Sequence, residues 1–253
     1  MMLQVNDLKE ESSINKIDEN GILVGSWDDN FATNFFSNPE NAGIKKLVIQ
    51  NGHRFRTFSW LSLLTSLRDF QLSGSYDTVL DLSRLPNTKG RELSVSIEGN
   101  FQNITNWYST SATSLSLLHI KLSAFNADDW APAEKWGQNL NSFTAYYSLP
   151  LDFTNFEPQQ LRSFHVESSA LGLESLAECT LDSFAGDEAT WNSLYMAFRN
   201  APNKYPQIKD VHMVGGNFVG LSDVVKFVSP ERIISANGNV QTLKQLLHEE
   251  NNC

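Results

Sequence analysis

Three nonapeptides, Leu140–Ser148, Leu161–Ser169 and Leu181–Ala189, align without gaps, and each opens Leu-x-Ser-Phe. Their starts lie 21 and then 20 residues apart. Such a spaced motif constrains the fold more than any compositional property. One copy carries too little apolar surface to close a core, so successive copies must stack and bury a shared edge. Within each window position 4 is phenylalanine (Phe143, Phe164, Phe184) and position 6 is apolar or small (Ala145, Val166, Gly186). A period of two over so short a run is that of a strand with positions 4 and 6 inward, leaving positions 5 and 7 on the open face.

Further windows share apolar positions 1, 4 and 6: they start at Ile44, Leu67, Leu115 and Ile208, with weaker copies at Glu92 and Pro230. All nine starts are separated by 20 to 27 residues. The fourth position is apolar throughout: Leu47, Phe70, Val95, Leu118, Phe143, Phe164, Phe184, Val211 and Ile233. Nine stacked strands with a Phe-rich spine are expected.

The pattern resembles the leucine-rich-repeat family, with its motif LxxLxLxxN, over roughly residues 44–240 at a spacing within that family's repeat length. The resemblance implies an α/β chain: an irregular leucine-rich-repeat-like solenoid with short parallel strands and helical or irregular return segments. The family's ninth-position Asn is matched only by Asn100; Gly52, Ser75, Ser123, Ser148, Ser169, Ala189, Gly216 and Gly238 stand there in the other windows. That departure implies variable curvature. An α/β sandwich of unrelated strands is the alternative architecture.

Three regions are expected: an acidic N-terminal arm and cap (1–43), the repeats (44–238) and a C-terminal capping helix (239–253). In the first, Gly21–Trp27 reads as a strand, followed by Asp28–Phe36. Return segments Trp60–Leu67, Glu188–Asn200 and Ser222–Val228 read as helical, the second with Trp191, Leu194, Tyr195 and Phe198 on one face. Val240–Glu250 puts Val240, Leu243, Leu246 and Leu247 on one helical stripe. The returns Ser75–Leu85, Phe101–Ser111 and Asn126–Trp136 read as irregular.

Charge narrows the partner. The 253 residues carry 19 Lys+Arg against 29 Asp+Glu, a formal net charge of −10. Nucleic-acid backbones and anionic membranes demand a basic face, so neither is expected as the partner; a basic protein suits the balance. Residues 1–43 hold eight carboxylates against Lys9 and Lys16, so −6 of the −10 lies there. No apolar run approaches the roughly 18 residues of a membrane span. The first residues lack a basic–apolar–small leader pattern, and two cysteines (Cys179 and Cys253) build no disulfide framework, so a cytoplasmic location is expected.

No nucleophile elbow, phosphate loop, metalloprotease motif, paired CxxC or dinucleotide fingerprint occurs, and neither enzymatic activity nor a metal or cofactor is expected. Position 5 carries His119, His165 and His212. At about 4.8 Å per strand, the rings of three strands so far apart are poorly placed to share one ion; they read as open-face residues available to a partner. Position 7 reads Glu98, Lys121, Tyr146, Glu167 and Asp187 through the middle repeats, with Tyr147 and Glu188 beside it. Carboxylates around tyrosines suit a basic protein, since aromatics anchor interfaces and charges steer encounter. The expected function is stoichiometric protein binding, of the kind an inhibitor or immunity-type protein shows toward a basic toxin or nuclease. An adaptor that recruits a protein target is one alternative; a hydrolase using His165 with Glu167 is another.

Overall fold

The computed structural model describes residues 15–51, 53–87, 91–146, 151–199, 204–215, 228, 230–235, 237–242 and 244–245. The chain is mixed α/β and dominated by parallel strands. It divides into two compact units, residues 1–111 with 121–125 and residues 112–120 with 126–253.

In the first unit, β1 (Lys16–Ile17) and β2 (Leu23–Val24) form an antiparallel hairpin. The Gly21–Trp27 strand is thus shorter than expected, because Gly21 and Gly25 take positive φ of 81° and 97°. Asp28 caps α1 (Asp29–Phe36), accepting a hydrogen bond from the Phe31 N–H at 2.8 Å. The Asp29 carboxylate accepts from the backbone N–H groups of Arg56 (2.6 Å), Thr57 (3.1 Å) and Phe58 (3.0 Å), which ties α1 to the chain beyond it. A short turn of helix, α2 (Pro39–Ala42), precedes three parallel strands: β3 (Lys46–Ile49), β4 (Asp69–Asp81) and β5 (Ser94–Thr105). Like window positions pair: Leu47, Phe70 and Val95 in one row, Ile49, Leu72 and Ile97 in the next, all buried.

β4 and β5 differ from expectation by continuing past their windows. The segments read as irregular returns instead stay paired to Asp81 and Thr105, through a register shift between Tyr76 and Val79. The continuation is stabilised by a second apolar row in which Tyr76 stacks on Phe101 at 5.7 Å. At the bend Gly99 has φ 118°, and a Cβ there would lie 2.0 Å from the Gly74 carbonyl oxygen, so the position admits only glycine. Trp60–Leu67 forms one 3-10 turn, Ser59–Leu63, in place of the expected helix; Trp60 is buried in it against Phe36 (5.1 Å).

In the second unit, β6 (Ser114–Leu122), β7 (Ser142–Tyr146), β9 (Ser163–Glu167), β11 (Thr180–Gly186), β12 (Gln207–Met213) and β13 (Arg232–Ile234) pair in that order and all in parallel. Between them come β8 (Leu151–Asp152) and β10 (Ala170–Leu171), which pair with each other, and the one long return helix described here, α3 (Glu188–Phe198). Five windows are in the expected register, with Phe143, Phe164, Phe184, Val211 and Ile233 side by side.

The remaining window of this unit, the one at Leu115, is not. Leu115, not Leu118, pairs with Phe143, so the repeat begins at Ala112 and the register shifts by three. Leu115 and Leu117 are the buried pair, and Leu118 is only partly covered. The run Leu115-Ser-Leu-Leu-His-Ile-Lys-Leu contains two overlapping apolar patterns, and only pairing with a neighbour selects one.

The spine is aromatic in this unit: Phe143 stacks on Phe164 (5.8 Å), Phe164 on Phe184 (5.4 Å), and Phe184 meets Trp191 of α3 (4.7 Å). At the C-terminal side Val240–Gln241 is not helical but forms β14, antiparallel to β13. Residues 244 and 245 are helical, as expected there; residues 243 and 246–253 of the expected cap, most of the Ser222–Val228 helix and the first 14 residues of the acidic arm lie outside the described residues. No helix among the described residues is long and apolar enough to cross a membrane.

Candidate functional site

Parallel strands at a common register convert a sequence column into a spatial row, so outward residues at one position stand side by side, about 4.8 Å apart. In the second unit the outward position-3 row reads Ser114, Ser142, Ser163, Ser183, Asp210, Arg232. The position-5 row reads Ser116, Thr144, His165, Ala185, His212, Ile234. The serine of Leu-x-Ser-Phe is therefore the first residue of the open face. Its recurrence is visible in the chain, but its direction follows from the pairing.

Three of the expected residues converge here. His165 lies between Glu167, whose Oε1 is 3.0 Å from Nε2, and Tyr146, whose hydroxyl is 3.3 Å from Nδ1. A carboxylate only accepts, which places the imidazole proton on Nε2 and leaves Nδ1 to accept from the tyrosine hydroxyl. Burial lowers the His165 pKa, with His212 acting in the same direction and Glu167 opposing them, so the ring is neutral at pH 7. Burial and then the Glu167 charge raise the Tyr146 pKa and keep its hydroxyl protonated. The His119 ring meets Tyr146 at 5.6 Å. His119 arrives there by a route different from the expected one: with the register shifted it stands at position 8, an exposed residue within β6 with φ 49°, rather than at position 5.

Of the other expected residues, Asp187, Glu188, Glu98 and Lys121 are not part of this cluster. Asp187 turns into the fold as the N-cap of α3, accepting from the Thr190 N–H at 2.9 Å and lying 2.8 Å from its hydroxyl. Glu188 is exposed in the first turn of α3, where a negative charge favours the helix dipole. Glu98, in the first unit, and Lys121, near the end of β6, are exposed. Tyr147 lies outside the described residues. The acidity of the face is smaller than the composition suggests, because Asp210 accepts from Arg232 (Nε to Oδ1 2.7 Å) in a two-pronged pair whose hydrogen bond holds the Asp210 pKa down. In the first unit Asp69 is likewise engaged, with Lys46 at 3.3 Å.

Sequence reasoning missed the depression in this face. An open groove of about 530 Å³ runs over Ala185 and is bordered by His165, His212, Ser163 and Ser183. It exists because the small Ala185 separates two imidazoles in the position-5 row. Among the described residues no group of three or more His, Cys, Asp or Glu side chains is placed to hold a metal ion. Cys179 is buried with its thiol pushed up to about 11, an unreactive setting. Comparison with protein-family models, curated proteins and solved structures finds no match to the chain.

Proposed function

We propose that the chain is a non-enzymatic protein-binding solenoid of irregular leucine-rich-like repeats, acting as an inhibitor or immunity-type protein toward a basic partner. The observation that carries this reading is the half-buried Tyr146–His165–Glu167 cluster on the open strand face of the second unit. A tyrosine held in place by hydrogen bonding loses little entropy on binding, and the carboxylate beside it is neutralised by no Lys or Arg in any ion pair described here. Such an arrangement suits a cationic surface better than an anionic one. The net charge of −10 adds long-range steering.

Immobilised wild-type chain, presented to proteins of its source cell beside Glu167→Lys and Tyr146→Ala variants, tests the reading. A basic protein retained by the wild type should bind Glu167→Lys about tenfold or more weakly and should be released by salt. A partner indifferent to both substitutions would remove the face from the reading.

One observation favours a second reading. Glu167, His165 and the Tyr146 hydroxyl form a carboxylate–imidazole–hydroxyl relay, the arrangement that activates a hydroxyl for hydrolysis. Ester turnover abolished by His165→Ala with partner binding intact would decide for it.

A further inference from the structure

We propose that the gap over Ala185 is a socket for an arginine side chain of a basic protein partner, an inference that rests on the protein-binding reading of this face. Ala185 on β11 pairs with His165 of β9 on one side and His212 of β12 on the other. Two strand spacings separate the histidine backbones by roughly 10 Å. That separation leaves room for a planar group between the two side chains. The floor offers the Ser163 and Ser183 hydroxyls as hydrogen-bond acceptors.

Charge selects the occupant. Glu167 stands beside His165, and the Asp210 charge on the far side is already matched by Arg232, so the rim is negative on balance. A neutral His165 lines the gap without repelling a cation. A guanidinium is planar, stacks on rings and donates in several directions, whereas an ammonium is a compact, strongly hydrated charge that leaves the slot unfilled. A phosphate or carboxylate would meet Glu167, and among the described residues that line the groove there is no Lys or Arg to receive it.

The test uses the full chain and N-acetyl-arginine amide as probe, read by the ring resonances of His165 and His212 in a heteronuclear NMR titration. Saturable shifts at both rings are expected, with N-acetyl-lysine amide roughly fivefold weaker or more. Ala185→Met, which fills the slot without changing charge, should abolish the arginine shifts. Ala185→Thr, matching Thr144 in the same row, should weaken them and serves if the larger residue disturbs folding. Arginine shifts unchanged in both variants would overturn the socket, as would a wild type that responds to inorganic phosphate and not to arginine. Failure of the wider reading is distinguishable: the socket alone fails if Glu167→Lys weakens partner capture while the Ala185 variants do not, and the face fails if Glu167→Lys leaves capture intact.

Discussion

At the scale of single residues, Thr190 ties two elements of the second unit together and His165 gives it a pH dependence. The Thr190 hydroxyl, fully buried, lies 2.6 Å from the Val166 carbonyl, 2.8 Å from the Ser168 carbonyl and 2.8 Å from Asp187, and it accepts from the Ser168 N–H at 3.2 Å. It links the end of β9 to the start of α3. Thr190→Val keeps the volume and strands those groups, so it should cost about 1–3 kcal/mol in denaturant unfolding; an unchanged midpoint would mean the groups find other partners. His165 makes stability depend on pH. Its folded pKa lies below the unfolded value near 6.5, so the unfolded chain binds more protons as pH falls through that region. His53, lowered by burial, acts the same way. Stability should therefore be full above pH 6.5 and decline as pH drops below it. Asp81 and Asp210, whose pKa values are lowered, contribute only at more acidic pH. Unfolding measured at pH 7.5 and 5.5 should show a smaller difference in His165→Asn than in the wild type.

At the scale of elements, the stacked phenylalanines hold the strands of the second unit in register. Phe164 is fully buried between Phe143 and Phe184 and also touches Phe153 at 5.2 Å. Phe164→Ala should cost about 3–5 kcal/mol, and Phe164→Leu clearly less, in equilibrium unfolding. Equal losses would show that ring stacking, not volume, dominates. In the first unit Gly99→Ala should cost about 2–3 kcal/mol, because the strained φ and the close Gly74 carbonyl act together; calorimetric Tm reports it. Strand content was legible here wherever a window stood alone, as at Phe164 and Phe184. It was not legible at Leu115, where two apolar alternations overlap, nor at Tyr76–Asp81, where the second row of burial comes from Phe101 on another strand.

At the scale of the whole molecule, all six tryptophans are buried, Trp27, Trp60 and Trp107 in the first unit and Trp130, Trp136 and Trp191 in the second. Native fluorescence should resist acrylamide quenching and become readily quenched on unfolding; a strongly quenched native population would mean that one of these cores is open. The charge of −10 is spread unevenly in sequence and partly neutralised in space. In the second unit the Asp210–Arg232 pair leaves Glu167 as the carboxylate that gives the candidate face its sign.

The period of the Leu-x-Ser-Phe motif by itself determined that strands recur and which residues of those three windows are buried, because burial periodicity is a property of each segment read alone; parallel pairing was only what the family resemblance implied. Only the tertiary structure decided the register at Leu115, the diversion of Asp187 into a helix cap, the meeting of Tyr146, His165 and Glu167, and the gap over Ala185. The register, the meeting of Tyr146 with His165 (19 residues apart in the chain) and the gap depend on which residue of a neighbouring strand stands opposite, whereas Asp187 has a local partner, Thr190, that engages it once α3 starts there.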